Sequence, residues 1–238
     1  MQSSQCILKP TLYNSRVSPP AVLQDSTRFN NNGVHTNITW TRLPSGLWVR
    51  SFNGATSDVT VVNSRSLRYL CQSANQNLTV IIWAKVTPPD ADSESLIGIA
   101  DIGTGTRQWY IAGYTGANAN HMQVVVSDDG TTAAGHWKQY YTNNAVFDGI
   151  WHMYSFTWGG GVLDLQVDGV SQAVTKPFDN AITTLYPSAS NLSIGCLLNT
   201  GVKFRYMACD IGDIGIHTWT WSVSAILEYY FSTRRQYK

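Results

Sequence analysis

Charge is the first thing this chain lacks. Asp, Glu, Lys and Arg make up 13% of its 238 residues, against roughly a quarter in an average soluble domain. The formal net charge is +1, which gives no field to steer the chain toward nucleic acid or an anionic membrane. The one basic cluster, Arg234, Arg235 and Lys238, reads as a solvated tail. No apolar run approaches the roughly eighteen residues a membrane helix needs, so no membrane insertion is expected. The stretch from Met1 to Cys6 has neither a charged n-region nor an apolar core, and it does not read as a secretory leader. Cys6, Cys71, Cys196 and Cys209 show no C-x-x-C spacing, which argues against a zinc or redox site. They are expected as reduced, mostly buried thiols. The sequons at Asn37, Asn77 and Asn191 arise readily in strands rich in Ser and Thr.

Glutamate is nearly missing, occurring only at Glu94 and Glu228. Glycoside hydrolysis needs two carboxyl groups a few ångströms apart across the scissile bond. Glu94 sits in a loop after Pro88-Pro89, and Glu228 sits in a predicted helix. Asp164 and Asp168 share one strand face, but four residues of strand put them about 13 Å apart, too far for a retaining pair. There is no Gly-x-Ser-x-Gly elbow and no metal-protease helix. The chain is therefore expected not to be an enzyme, with glycoside hydrolysis the least favoured reading.

What is abundant is aromatic: nine Trp, twelve Tyr and seven Phe, with nineteen Gly to supply turns. From residue 47 onward the pattern alternates strand and turn. Leu78 to Val86 is a near-continuous apolar run around Trp83, which fits a buried central strand. Further strands are predicted at Val59–Val62, Leu96–Ile102, Gln108–Ala112, Met122–Val126, Gln139–Thr142, His152–Trp158, Leu192–Cys196, Phe204–Met207 and Ile211–Ile216. The clearest hairpin runs from Val162 to Thr175. There Leu163, Leu165 and Val167 alternate with Asp164, Gln166 and Asp168 as a buried and a wet face. Asp168-Gly169 supplies a type I′ turn, whose backbone twist matches that of paired strands. Ser222 can cap one helix, with Val223, Ile226, Leu227, Tyr230 and Phe231 at helical spacing. About a dozen short strands at this spacing predict an all-β jelly-roll sandwich of two antiparallel sheets, plus one short C-terminal helix. Residues 1–24, with Pro19-Pro20, read either as an extended N-terminal arm reaching a neighbouring subunit or as a first edge strand plus loop. Residues 25–238 form the domain.

The order of these pieces resembles the laminin-G-like branch of the concanavalin-A-like lectin and glucanase superfamily over residues 25–232. The carriers are Asp25 to Gly33, Leu47 to Gly54 with its Phe-Asn-Gly, and Leu78 to Lys85 with Trp83. They continue with Phe147-Asp-Gly-Ile-Trp-His152, Leu163 to Gly169 with Val-Asp-Gly, and Asp210 to Ile214 before the helix. The closing strand lacks the acidic pair common before this point in the family. The resemblance implies two curved antiparallel sheets with ligands at loop rims or on the concave face, and a structural role for His152. Stand-alone domains of this kind resemble phage head and tail proteins. Trp151 and Trp158 are expected to anchor the core from the two ends of their strand.

Candidate sites follow from chemistry. Sugars stack on exposed aromatics and hydrogen-bond to neutral polar groups. Trp109, Tyr110, Tyr114, Trp137, Tyr140 and Tyr141 lie near loops rich in Gly, Asn and Thr. Strand alternation turns about half of them inward. Tyr114 and Trp137, beside Gly-rich loops, rank first, followed by Trp109 and Tyr140. No cofactor is required. Calcium is the one candidate metal, with Asp128, Asp129 and Asp101 as oxygen donors, although Asp-Asp-Gly also reads as a plain hairpin turn. The leading functional expectation is a non-catalytic virion structural or decoration protein on a phage head or tail surface, able to bind host-surface glycans. Its partners would be copies of itself or other virion proteins, held through the arm. The alternative is a free-standing, extracellular lectin-like adhesion module.

Overall fold

The computed structural model describes residues 5–14, 19–68, 70, 77–89 and 93–237. Cys71 and Lys238 lie outside the described residues. Two antiparallel sheets face each other. The first runs, in order across the sheet, Val170–Ser171, Val162–Val167, Trp151–Gly159, Asn77–Val86, Ala208–His217, Trp48–Asn53 and Thr39–Arg42. Cys6–Leu8 also pairs with Ala208–His217. The second runs Val174–Asp179, Trp137–Thr142, Met122–Ser127, Trp109–Gly113, Ser95–Ile99, Leu192–Ile194, Asp58–Val61, Gly33–Thr36 and Val22–Leu23. A small separate hairpin pairs Leu197–Asn199 with Val202–Phe204. The chain is thus the all-β sandwich its alternation predicts.

Period-2 alternation sends one side of each strand into the space between the sheets. Leu78, Val80, Ile82, Ala84 and Val86 point there together with Tyr154, Phe156, Trp158, Trp109, Ile111, Val124 and Val126. The opposite side of the same central strand is also dry. Ile81 and Trp83 join Leu47, Val49, Met153, Ile226 and Tyr237 in a second core under the C-terminal helix Val223–Thr233. Burial on both faces explains the unbroken apolar run at 78–86. Trp83 stacks on Tyr237 at 4.4 Å and on Tyr230 at 5.6 Å, and its indole N–H donates to Thr233 Oγ1 at 3.0 Å. Ser222 caps the helix by accepting from the Ala225 N–H. Of the helix's predicted apolar stripe only Ile226 is buried, while Val223 and Phe231 are exposed. The C-terminal segment is not a loose tail as far as Tyr237. That ring lies where a Cβ on Gly212 would stand, 2.3 Å from its Cε1, and the Tyr237 hydroxyl accepts from the Asp213 N–H at 2.8 Å.

The Asp168-Gly169 turn forms as expected, with φ of +54° and +79°. Gly169 is needed a second time because a Cβ there would stand 2.6 Å from Leu227 Cα. The strand after the turn is only Val170–Ser171. The chain then crosses to the other sheet as Val174–Asp179, which pairs with Trp137–Thr142. The wet face of the hairpin is not uniformly wet. Gln166 is fully buried and bonds Ser155, Thr157 and Asp164. The strand expected at Phe204–Met207 ends at Phe204, because Arg205 adopts φ +52° and turns the chain. Trp158 is fully buried between the sheets, whereas Trp151 points to the other side and packs half-buried beside Tyr237.

The expected N-terminal arm is corrected where it is described. Ile7, Leu8 and Leu23 are buried in the main core. Cys6 and Leu8 pair with His217 and Ile216, and Asn31 donates to the Ile7 carbonyl at 2.6 Å. A three-residue strand is too short to show a period, yet its apolar pair fills the sandwich. Sheet edges are blunt: two ends are two-residue strands, and Val174–Asp179 carries Lys176 and Pro177, devices that discourage strand addition. Cys6, Cys196 and Cys209 are free thiols; burial pushes Cys196 up to about 12 and raises Cys209 well above the usual thiol value.

Candidate functional site

Strand register decides which aromatics reach solvent. Val124 pairs with Tyr140 and with Ile111, and all three point inward. Their neighbours Gln123, Val125, Gln139 and Tyr141 therefore point to the outer face of the second sheet. Trp109 is fully buried against Phe156 at 5.5 Å, so it is no surface aromatic. Tyr140 is equally internal; its hydroxyl donates to the Asp179 carboxylate, and burial first and that carboxylate second push its pKa far above the usual phenol value. Tyr110 faces outward but lies beneath the small hairpin with Leu197 and Phe204.

Tyr114 and Trp137 do line the outer face. Trp137, half-buried, stacks on exposed Phe178 with centroids 4.0 Å apart. Tyr114 stacks on Tyr141, also at 4.0 Å, with His121 edge-on at 6.2 Å from Tyr141. Trp137, Gln139 and Tyr141 follow one another on one side of one strand. Gln139 donates to Gln123 Oε1 at 2.6 Å, and Gln123 donates to the Gly113 carbonyl at 2.5 Å. Asn180 clamps the Trp137 carbonyl at 2.7 Å. Sequence reasoning missed Phe178, because the strand carrying it joins this sheet only through a crossover that local pattern does not reveal.

The charges nearest this face are already matched, and two of them, Lys138 and Lys176, turn to its far side over Tyr140. Lys138 reaches Asp179 at 2.5 Å and Lys176 reaches it at 3.8 Å; the Lys138 bond, then the Tyr140 bond, hold the Asp179 carboxyl below its usual range. Beside Trp137, His136 Nδ1 lies 3.0 Å from Asp128 and 3.7 Å from Asp129. Burial alone would raise Asp129, but bonds from Thr131, Ser127 and the His136 charge outweigh it and lower the carboxyl. Asp128, Asp129 and His136 place donor atoms within 4.8 Å of one another, yet they do not fit calcium. That ion needs six to eight oxygens, and here one of three donors is nitrogen while Asp129 is filled by Ser127 and Thr131. Asp101 stands apart from them. It accepts from the backbone N–H groups of Gly103, Thr104, Thr200 and Gly201; these outweigh its burial and hold its pKa low. It fastens the small hairpin to the sheet.

His152 sits inside a clamp of carboxylates: Nδ1 is 2.8 Å from Asp168 and Nε2 is 3.2 Å from Asp148. The Asp168 bond outweighs burial and raises the imidazole pKa. The other Asp168 oxygen accepts from the Met153 N–H at 2.9 Å. The two glutamates stand on different elements. Glu228 is exposed on the helix, and Glu94 lines an open cleft of about 550 Å³ with Gly54, Ala55, Phe204, Arg205 and Tyr206.

No family model matches the chain, and no curated protein matches it in sequence. Solved structures do resemble it. The binding domain of Paraclostridial Mosquitocidal Protein 1 superposes with a TM-score of 0.68 at 12% identity, covering 95% of this chain and 52% of that one. The receptor binding domain of botulinum neurotoxin C/D mosaic serotype gives 0.66 at 14% identity, covering 95% and 51%. The botulinum neurotoxin serotype D binding domain gives 0.64 at 13%, again covering 95% and 51%. The chain thus spans about half the length of these binding domains, and what it shares with that half is a lectin-like β-sandwich fold.

Proposed function

We propose that this domain is a non-catalytic binding module that takes up carbohydrate on the outer face of its second sheet. One observation carries the reading. The Trp137–Phe178 stack stands partly in solvent on a face whose neighbouring polar groups are amides rather than free charges. Aromatic surface that is left wet costs hydrophobic free energy, and an apolar sugar face over it with amides at the margin matches both halves of the site. The structural neighbours are binding domains, which agrees with this reading. A glycan array on the purified domain, with Trp137→Ala and Phe178→Ala in parallel, tests it. Selective binding lost in both variants is expected; binding that both variants retain would move the site elsewhere. Repeating the array with chelator should change nothing, because the acidic corner does not suit calcium.

The setting we propose is the surface of a phage or other virus particle, in a laminin-G-like domain. Support for the laminin-G-like kinship comes from His152, which ties the Asp148-Gly-Ile-Trp-His segment to the Asp168-Gly169 hairpin. Two pieces of that resemblance are therefore one physical unit. Attachment through a free arm has lost its footing, since Ile7 and Leu8 are core residues. Antibodies raised to the domain should decorate intact particles; labelling of free protein alone would favour a secreted adhesion module.

A further inference from the structure

We propose that the open face takes a linear, uncharged oligosaccharide lying along the strand Trp137–Thr142 and touching two aromatic stations, rather than a single sugar ring. This rests on the carbohydrate reading above. Trp137 with Phe178 forms one station, and Tyr141 with Tyr114 forms the other. Trp137 and Tyr141 are four residues apart on one side of one strand, a separation of about 13 Å. That span exceeds one ring and suits a chain of several.

Between the stations lies Gln139. One of its N–H groups is spent on Gln123. Its carbonyl oxygen and second N–H have no partner among the described residues, and the residue is half-buried rather than sealed. It offers one donor and one acceptor at the middle of the strip, which is what a chain of hydroxyls uses and an apolar peptide does not. Gln123 is itself buried and tied to the Gly113 carbonyl, so Gln139 is held at a fixed place and loses little freedom on binding.

Charge argues for a neutral chain. Lys138 and Lys176 turn to the other side of the sheet, over Tyr140, where they meet Asp179, and His136 faces Asp128 and Asp129. An acidic sugar would find no unspent cation among these groups. Each station alone presents a small platform; two on one rigid strand make affinity grow with ligand length until both are covered.

The test is calorimetric titration of the intact chain with the cello, malto, laminari and manno series, from the monosaccharide to the hexasaccharide. In one series, affinity should rise at least about tenfold between the disaccharide and the tetrasaccharide and then level off. Trp137→Ala and Tyr141→Ala should each flatten that rise, and Gln139→Ala should weaken the longer ligands only. If Tyr141→Ala melts early, Tyr114→Ala, at the other half of the same station, answers the same question. Equal affinity for short and long ligands, or binding confined to acidic glycans, overturns the two-station chain while leaving a carbohydrate site standing. Silence across array and series removes both.

Discussion

The outer faces of the two sheets carry the same kind of surface and meet different fates. On the first sheet, Trp83 is roofed by Tyr230 and Tyr237 and by the helix Val223–Thr233. On the second, Trp137 stacks on Phe178 and Tyr114 on Tyr141, both at 4.0 Å, and although Trp137 packs against the cluster around Tyr110 and Leu197, Phe178 is left exposed. Covered aromatics stabilise the fold by leaving water; uncovered ones are held ready for something else to cover them. The difference lies in which part of the chain returns to the face.

The comparison breaks first if the covered face proves dispensable. Trp83→Ala removes a fully packed indole, its stacking partners' support and a half-buried hydrogen bond. It should cost about 3–5 kcal/mol, read by urea denaturation; a loss below about 1 kcal/mol would mean the helix is not a true roof. Leu8→Ala sharpens the same point at the N-terminus, with about 2–4 kcal/mol expected from the cavity it leaves in the main core. A wild-type midpoint there would restore the free arm that the pairing of Cys6–Leu8 with Ala208–His217 replaces.

Next in size is the response to acid. Burial, with Lys9 adding to it, depresses His217 to about 4, and burial with Arg50 depresses His35 to about 4. In the unfolded chain both bind protons near pH 6.5, so the unfolded state gains protons first and stability falls as pH drops from about 6.5 to 4. For His217 alone that is at most about 3 kcal/mol. His152 works the other way: its raised pKa contributes stability at low pH that fades as pH rises through the folded value. Two against one predicts a lower Tm at pH 4.5 than at pH 7. His217→Gln should flatten the profile, and Asp168→Asn should steepen it. A Tm that does not change over this range would show that these rings are not buried neutral.

Much of this architecture is legible in residue order. Alternation at Leu163, Leu165 and Val167 and the pair Asp168-Gly169 specify a hairpin because both are local. Ser222 announces a helix for the same reason. What stays hidden is whatever register or a return of the chain decides. Trp109 and Trp137 look alike in sequence; only pairing with Val126 and Ser127 across the sheet buries one and bares the other. Leu8 hides in a strand too short for a period, and Phe178 hides behind a crossover. Asp129 is satisfied inside its own turn and Asp101 by backbone donors of its turn and of the distant small hairpin, and a short acidic run cannot distinguish either from a metal rim. Tyr237 reads as a tail residue until Gly212 is seen to leave room for its ring.

The smallest stability effect belongs to the open face, and it separates the two faces most sharply. Phe178 is 43% exposed, so Phe178→Ala gives up a stack and roughly half of one ring's burial, about 2 kcal/mol together. Its midpoint should fall by no more than that, while binding to any array-positive glycan should drop at least about tenfold. A residue that matters much for binding and little for folding is what an uncovered face predicts. If Phe178→Ala instead destabilises as much as Trp83→Ala, the strand Val174–Asp179 is part of the structural shell, and the two faces do the same work. If it changes neither quantity, the stack is incidental and the ligand lies elsewhere, with the cleft around Arg205 and Glu94 the next surface to substitute.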